Sequence, residues 1–106
     1  MNLSEYQEKA HSTAIYPSEL DGAYFYPAIG LAGEVGELLN KIKKIARDNA
    51  SLNKEDVKLE LGDILWYLSE LAGSFGISMD NVAEANLEKL ARRKSNGTLR
   101  GSGDQR

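Results

Sequence analysis

From Ala28 to Phe75 the chain follows a helical period, interrupted once. Ala28, Leu31, Val35, Leu38, Ile42 and Ile45 recur at three- and four-residue spacing, flanked by Ala32, Leu39 and Ala46. After a break at Asn49-Ala50-Ser51-Leu52-Asn53, the pattern resumes with Val57, Leu61, Ile64, Leu68, Leu71 and Phe75. Stripes of this kind specify amphipathic helices, each of which must bury one face against another element. The second stripe is not alone on its helix. Leu59 and Trp66 lie on nearly the opposite side, beside the small residues Gly62, Ser69 and Gly73. A helix apolar on two sides is buried on two sides. A central helix inside one subunit would satisfy this, but with only about four helices available a subunit interface is the preferred reading.

The flanking sequence supplies the other elements. A first helix is expected over 5–14, capped by Ser4 with Gln7 completing a capping box. A loop follows over 15–23, marked by Pro17 and Asp21-Gly22. The second helix spans about 27–48, with Pro27 in its first turn. Asn53 caps a third helix over 54–75, which stops at Gly76 in a left-handed conformation. Ser78 caps a fourth over 79–94. The expected fold is all-α, about four helices forming a bundle completed by oligomerisation. Residues 1–94 make one domain. Residues 95–106, with Gly97, Gly101 and Gly103, form a flexible basic tail, mobile when free and folding over a bound ligand.

Composition removes several classes of function. The chain has 106 residues and no cysteine, so it offers neither a disulfide framework nor a thiolate site. No apolar run approaches the ~20 residues that span a bilayer, and the first residues lack the pattern of a secretory signal. These features favour the cytoplasm. His11 is the sole histidine, which leaves almost no material for a histidine-based triad or a multi-histidine zinc site. There is no Gly-rich loop ending in Gly-Lys-Ser/Thr. The net charge of −3 is unevenly spread: residues 89–106 carry six basic side chains and one acid, Asp104, whereas residues 1–88 carry fifteen acids and seven basic residues. A duplex-DNA binder would show a broad basic face instead. An acidic body with a basic end suits a site that gathers cations with one part and phosphates with another.

The acids are patterned. Glu34 and Glu37 are neighbours on one helix surface, and Glu60 and Asp63 repeat the spacing on the next helix. Each pair sits at the shoulder of its apolar stripe, so packing of the stripes brings the pairs together beside the seam. Four carboxylates there repel one another and call for raised pKa values or cations. Hard oxygen donors suit Mg²⁺ or Mn²⁺, and inward carboxylates from facing helices are an established way to build a metal site in a bundle. A single acidic pair is also what a solvated surface carries; two pairs on adjacent helices, both bordering the core, are not. Gly30, Gly33, Gly36 and Gly62 accompany them at a cost of ~1 kcal/mol each relative to Ala, consistent with close helix approach or room for a ligand. On the fourth helix Asn86, Lys89 and Arg93 share one side and suit phosphate oxygens, although basic residues there also complement the helix dipole. Lys41 and Lys44 extend the Glu34/Glu37 stripe and are candidates for the same task. Tyr16, Tyr24, Phe25 and Tyr26 cluster before and within the start of the second helix, where core packing competes with stacking on a base.

Gly30-Leu31-Ala32-Gly33-Glu34-Val35-Gly36-Glu37-Leu38, followed by Glu60-Leu61-Gly62-Asp63-Ile64-Leu65-Trp66-Tyr67-Leu68, closely resembles the E-x-x-E…E-x-x-D signature of MazG-like all-α NTP pyrophosphatases. Asn86-Leu87-Glu88-Lys89-Leu90-Ala91-Arg92-Arg93 resembles that family's Asn-x-x-Lys-x-x-Arg segment, and the likeness runs from Tyr6 to the Gly-Ser-Gly-Asp tail. The resemblance implies a homodimer or homotetramer that needs Mg²⁺ and cleaves a nucleoside or deoxynucleoside triphosphate to the monophosphate and pyrophosphate. It implies that Glu34, Glu37, Glu60 and Asp63 hold the metal and that one of them, with Glu37 the candidate, serves as base. Asn86, Lys89 and Arg93 would bind the nucleotide's phosphates. A non-hydrolytic nucleotide-binding module, a helical interaction module and an alarmone hydrolase are the other readings. No membrane or duplex nucleic acid partner is expected.

Overall fold

A computed structural model of the chain describes residues 1–17, 23–51 and 53–106. Its elements are α1 (Leu3–His11), α2 (Phe25–Asp48), α3 (Lys54–Ser74) and α4 (Met79–Ser95), with no strand among the described residues. The fold class is all-α with four helices, as the periodicity specifies. No helix among the described residues is long and apolar enough to cross a membrane.

The long helices form the frame. α2 ends where Asn49 adopts a left-handed φ of 52° and its N–H returns to the Ile45 carbonyl. Asn53 then caps α3, its side chain accepting from the backbone N–H groups of Glu55 and Asp56. So short a connection makes α2 and α3 antiparallel. The pairing shows it: Gly30 lies against Tyr67 near one end, and Lys41 meets Glu60 further along. Ile77 N–H closes onto the Ala72 carbonyl around Gly76, whose φ is 69°, and Ser78 caps α4 by accepting from Asn81 N–H. The loop expected over 15–23 lies partly outside the described residues, as does Leu52.

α1 departs from expectation at its start. Its cap is Asn2, which accepts from Glu5 N–H at 2.8 Å, so Ser4 and Gln7 lie inside the helix. Both work at long range instead. Ser4 exchanges two hydrogen bonds with Asp80, backbone N–H to carboxylate and backbone N–H to hydroxyl. The Gln7 amide donates to the Ser69 and Ile77 carbonyls and accepts from Met79 N–H. One side chain thus ties α1 to the end of α3 and the start of α4, and Ala10, Ala72 and Met79 are buried in this corner.

The rest of the apolar surface is only partly covered. Leu59 is 65% exposed, Leu39 is 58%, and Val35, Ile42, Leu61 and Phe75 of the two stripes are exposed as well. The chain presents 7891 Å² to solvent, where a folded monomer of 11.6 kDa presents about 5,800 Å². Its radius of gyration is 16.7 Å against about 13 Å for a compact chain of this length. Trp66, grouped in sequence with Leu59 as a subunit-facing pair, is half-buried within its own chain, its Nε1 donating to Thr13 Oγ1 at 2.9 Å.

The tail, expected to be mobile when free, is turned back along α4. Thr98 N–H donates to the Arg93 carbonyl, and the Arg106 guanidinium donates to the carbonyls of Thr98, Leu99 and Gly103. Gly101 and Gly103 take positive φ values of 147° and 83°, which allow the reversal.

One glycine has a defined packing role. A Cβ at Gly30 would collide with the Tyr67 ring, so α2 admits that ring only because the residue is glycine. Gly30→Ala is expected to destabilise the protein by ~1–3 kcal/mol through overpacking. Tyr67→Ala removes the obstacle, so the double variant should be more stable than the sum of the single changes. Denaturant unfolding of all four proteins checks this; strict additivity would contradict it.

Candidate metal centre

The antiparallel register of α2 and α3 sets the two acidic pairs against each other. Glu34, Glu37 and Glu60 each offer a carboxylate oxygen, and the three oxygens lie within 4.8 Å of one another. Asp63 stands outside that trio but lines the adjoining cleft with Glu34. Glu60 is only 8% exposed. One of its oxygens accepts from Lys41 Nζ at 2.9 Å, while the other is buried without a hydrogen-bond partner. Glu34 Oε2 is buried and unpartnered too. Burial, then the charges of Glu37, Asp63 and Glu60, push the Glu34 carboxyl above its usual range. The Lys41 ammonium is pushed the other way in charge terms, held protonated above its ordinary value chiefly by its hydrogen bond to Glu60.

Buried carboxylate oxygens without donors are costly. Here two of them belong to a cluster of at least three negative groups balanced by one lysine. A hard divalent cation would satisfy both the lone pairs and the charge, so the donor set fits Mg²⁺ or Mn²⁺. Gly33, Gly36 and Gly62 have open space where a Cβ would sit, which leaves the surroundings of the acids uncrowded.

The other residues singled out from sequence are dispersed. Lys41 is engaged by Glu60 and so belongs to the acidic cluster itself. Lys44 lines a shallow groove with Asn53 and Asp56, towards the α2–α3 turn. Asn86, Lys89 and Arg93 lie on α4, which packs on α1 rather than along α2 and α3, so one chain does not bring them to the acids. Lys89 Nζ and Arg93 Nη2 both reach Asp104 Oδ1 at 3.1 Å, and Arg93 also donates to the Gly103 carbonyl. Hydrogen bonds from Lys89 and then Arg93 hold the Asp104 carboxyl below its usual range. Arg93 is only 5% exposed, and its Nε has no partner.

A second buried acid went unnoticed in the sequence. Glu70, 3% exposed, accepts from the Tyr16 hydroxyl at 2.8 Å and meets His11 Nδ1 at 3.0 Å. Burial, followed by this bond to Glu70, raises the Tyr16 hydroxyl to about 12. The available signal was an acid four residues after Trp66, on a helix side otherwise made of small and apolar groups. The aromatic cluster expected near the start of α2 divides in two. Tyr24 stacks on Phe75, whereas Tyr16 and Tyr26 stack at 4.5 Å and join Trp66 and Tyr67 beside the acids.

Comparison with known proteins shows the family. The family model of the MazG nucleotide pyrophosphohydrolase domain matches residues 28–98, a span that takes in both acidic pairs and the basic side of α4. The gene 37 protein of Mycobacterium phage L5 is 41% identical over a 114-residue alignment covering the whole of both chains. No solved structure gives a significant match.

The raised Glu34 carboxyl has a consequence for stability. Because its folded pKa lies above the unfolded value, the folded state binds more protons between the two, and stability falls as pH rises through that window. Above it the charged form weakens the metal-free fold. Glu34→Gln is therefore expected to raise the melting temperature of metal-free protein at neutral pH, with the gain shrinking as acid protonates the wild-type carboxyl. Thermal melts in chelator across the acid-to-neutral range check this, and a variant less stable than wild type at neutral pH would contradict it.

Proposed function

The chain belongs to the MazG nucleotide pyrophosphohydrolase family, and we propose that it hydrolyses a nucleoside or deoxynucleoside triphosphate to the monophosphate and pyrophosphate with Mg²⁺ held by Glu34, Glu37, Glu60 and Asp63. The observation that carries this reading is the trio of carboxylates from two helices, with buried oxygens that no donor among the described residues satisfies. Bound there, the cation neutralises phosphate oxygens and acidifies water; Mn²⁺ is a chemically similar substitute.

The chain's residues do the rest. One carboxylate takes a proton from the attacking water, and Glu37, the exposed member of the trio, is the one open to solvent. The water oxygen bonds to the α-phosphorus, the bridging α–β bond breaks, and pyrophosphate departs with the bridging oxygen. Lys89 and Arg93 are cations suited to the leaving phosphates, and Asn86 on the same side adds a donor. Asp104, which now occupies both cations, would be displaced by the triphosphate. Lys41 pairs with one Glu60 oxygen and holds that side chain in place beside the other acids, and Lys44 supplies positive potential further along α2.

The uncovered apolar surface supports a homodimer or homotetramer. The excess of about 2,000 Å² over a compact monomer matches one partner's share of an obligate interface. In such an assembly the α4 of one copy would serve the acids of another, which accounts for their separation within one chain. Residues 1–94 form the catalytic unit and 95–106 a closing segment, and housekeeping of the nucleotide pool places the protein in the cytoplasm.

Glu37→Gln and Asp63→Asn keep shape while deleting charge, and each is expected to lower turnover at saturating Mg²⁺ by ~100-fold or more. Pyrophosphate release from a panel of nucleotides measures it; near-normal turnover in either variant would rule out the site. Leu59→Glu should leave the helix content intact while weakening assembly. Light scattering is expected to show at least a dimer at micromolar wild-type protein, and a wild-type monomer would contradict the oligomer.

A further inference from the structure

The cleft beside the carboxylates has a wall that neither the metal nor the phosphates account for. Its volume is about 340 Å³, and it is lined by Glu34 and Asp63 together with Trp66 and Tyr67, within the size range of small-ligand sites. The two rings meet edge to face at 5.0 Å. Both are held in place. The Trp66 indole donates to Thr13 Oγ1, whose own hydroxyl donates to the Ala10 carbonyl. Tyr67 lies over Gly30 where a Cβ would collide with it. Behind them Tyr16 stacks on Tyr26 with an interplanar angle of 12° and presents an edge to Trp66 at 6.3 Å. The Tyr16 hydroxyl is anchored in turn on Glu70, a buried carboxylate further along α3 that is not a member of the acidic trio.

Fixed aromatic faces beside a cation-binding cluster suit a ligand that carries both a π-face and phosphates. Base–aromatic stacking tolerates any base and changes affinity by about ten- to a hundred-fold. We propose that Trp66 and Tyr67 form the nucleobase subsite of the acidic centre, and that Glu70 and Tyr16 are positioning residues that hold this wall. The inference rests on the reading of the centre as a nucleotide pyrophosphohydrolase and adds where the base lies. It separates two parts of the substrate: the carboxylates and their cation take the phosphates, and the aromatic wall takes the base.

Trp66 is the single tryptophan of the chain, so its fluorescence reports the wall directly. The test titrates wild-type protein in Mg²⁺ with an α,β-methylene deoxynucleoside triphosphate and, separately, with inorganic tripolyphosphate, following binding by calorimetry and Trp66 emission in parallel. The nucleotide analogue is expected to quench Trp66, and tripolyphosphate to bind without quenching. Tyr16→Phe and Glu70→Gln should raise KM for nucleotide about ten-fold, leave kcat unchanged, and leave the inhibition constant of tripolyphosphate as in wild type. Trp66→Ala should show the same split and Trp66→Phe should recover most of it. Circular dichroism melts of each variant exclude general loss of fold as the source of the split. Nucleotide binding without quenching, or a loss in the variants that falls equally on nucleotide and tripolyphosphate, would overturn the base subsite while leaving the pyrophosphohydrolase reading in place. Failure of wild-type protein to bind or hydrolyse any nucleotide would overturn both.

Discussion

Like charge forced into a small volume is the constraint around which this structure is arranged. Glu34, Glu37 and Glu60 bring carboxylate oxygens within 4.8 Å of one another, and Asp63 adds a fourth negative group nearby. At such separations repulsion is worth several kcal/mol at an effective dielectric near 20. Lys41 relieves it in part by pairing with Glu60, and Glu34 relieves it by favouring its proton. Neither satisfies the orphaned oxygens of Glu34 and Glu60. α2 and α3 hold the acids together through the antiparallel pairing of the hairpin: caps on either side of the connection set the register, and Gly30 lets Tyr67 into the seam. The cost of the cluster is what would make a bound divalent cation stabilising as well as chemically useful.

The same economy of core leaves the chain open. α1 is fastened to the α3–α4 corner by Ser4 and Gln7, but much of the apolar surface of α2 and α3 stays exposed among the described residues. α4 leans on α1, away from the acids, with its cations occupied by Asp104. A second copy would cover the apolar faces and supply the missing basic groups at once, which is why the proposed assembly and the proposed chemistry depend on each other.

What the sequence made legible were the features whose causes are local. Asn53 and Ser78 act on backbone groups two or three residues away, so their capping roles could be read directly. The acidic pairs were legible because i,i+3 spacing at the shoulder of a stripe leaves little choice about where they point. Ser4 and Gln7 looked like a capping box because the motif is local, but their partners lie 62 to 76 residues away, and tertiary bonds outbid the local ones. Lys41 was read along one helix face as a candidate phosphate ligand; its contact with Glu60 lies across the hairpin, where the period of one helix gives no information. The Trp66–Thr13 bond was not legible, because helix periodicity cannot show that the turn after α1 carries Thr13 to the indole. Glu70 was invisible for a related reason: its partners, His11 and Tyr16, approach from outside α3.

The proposed reaction directs water, at the carboxylate centre, to the α-phosphorus of a nucleoside triphosphate. Hydrolysis in ¹⁸O-labelled water with Mg²⁺, with products resolved by mass spectrometry, tests it most directly. Attack at the α-phosphorus gives a nucleoside monophosphate that carries one labelled oxygen and an unlabelled pyrophosphate. Label in pyrophosphate, or a diphosphate with labelled orthophosphate, would contradict it.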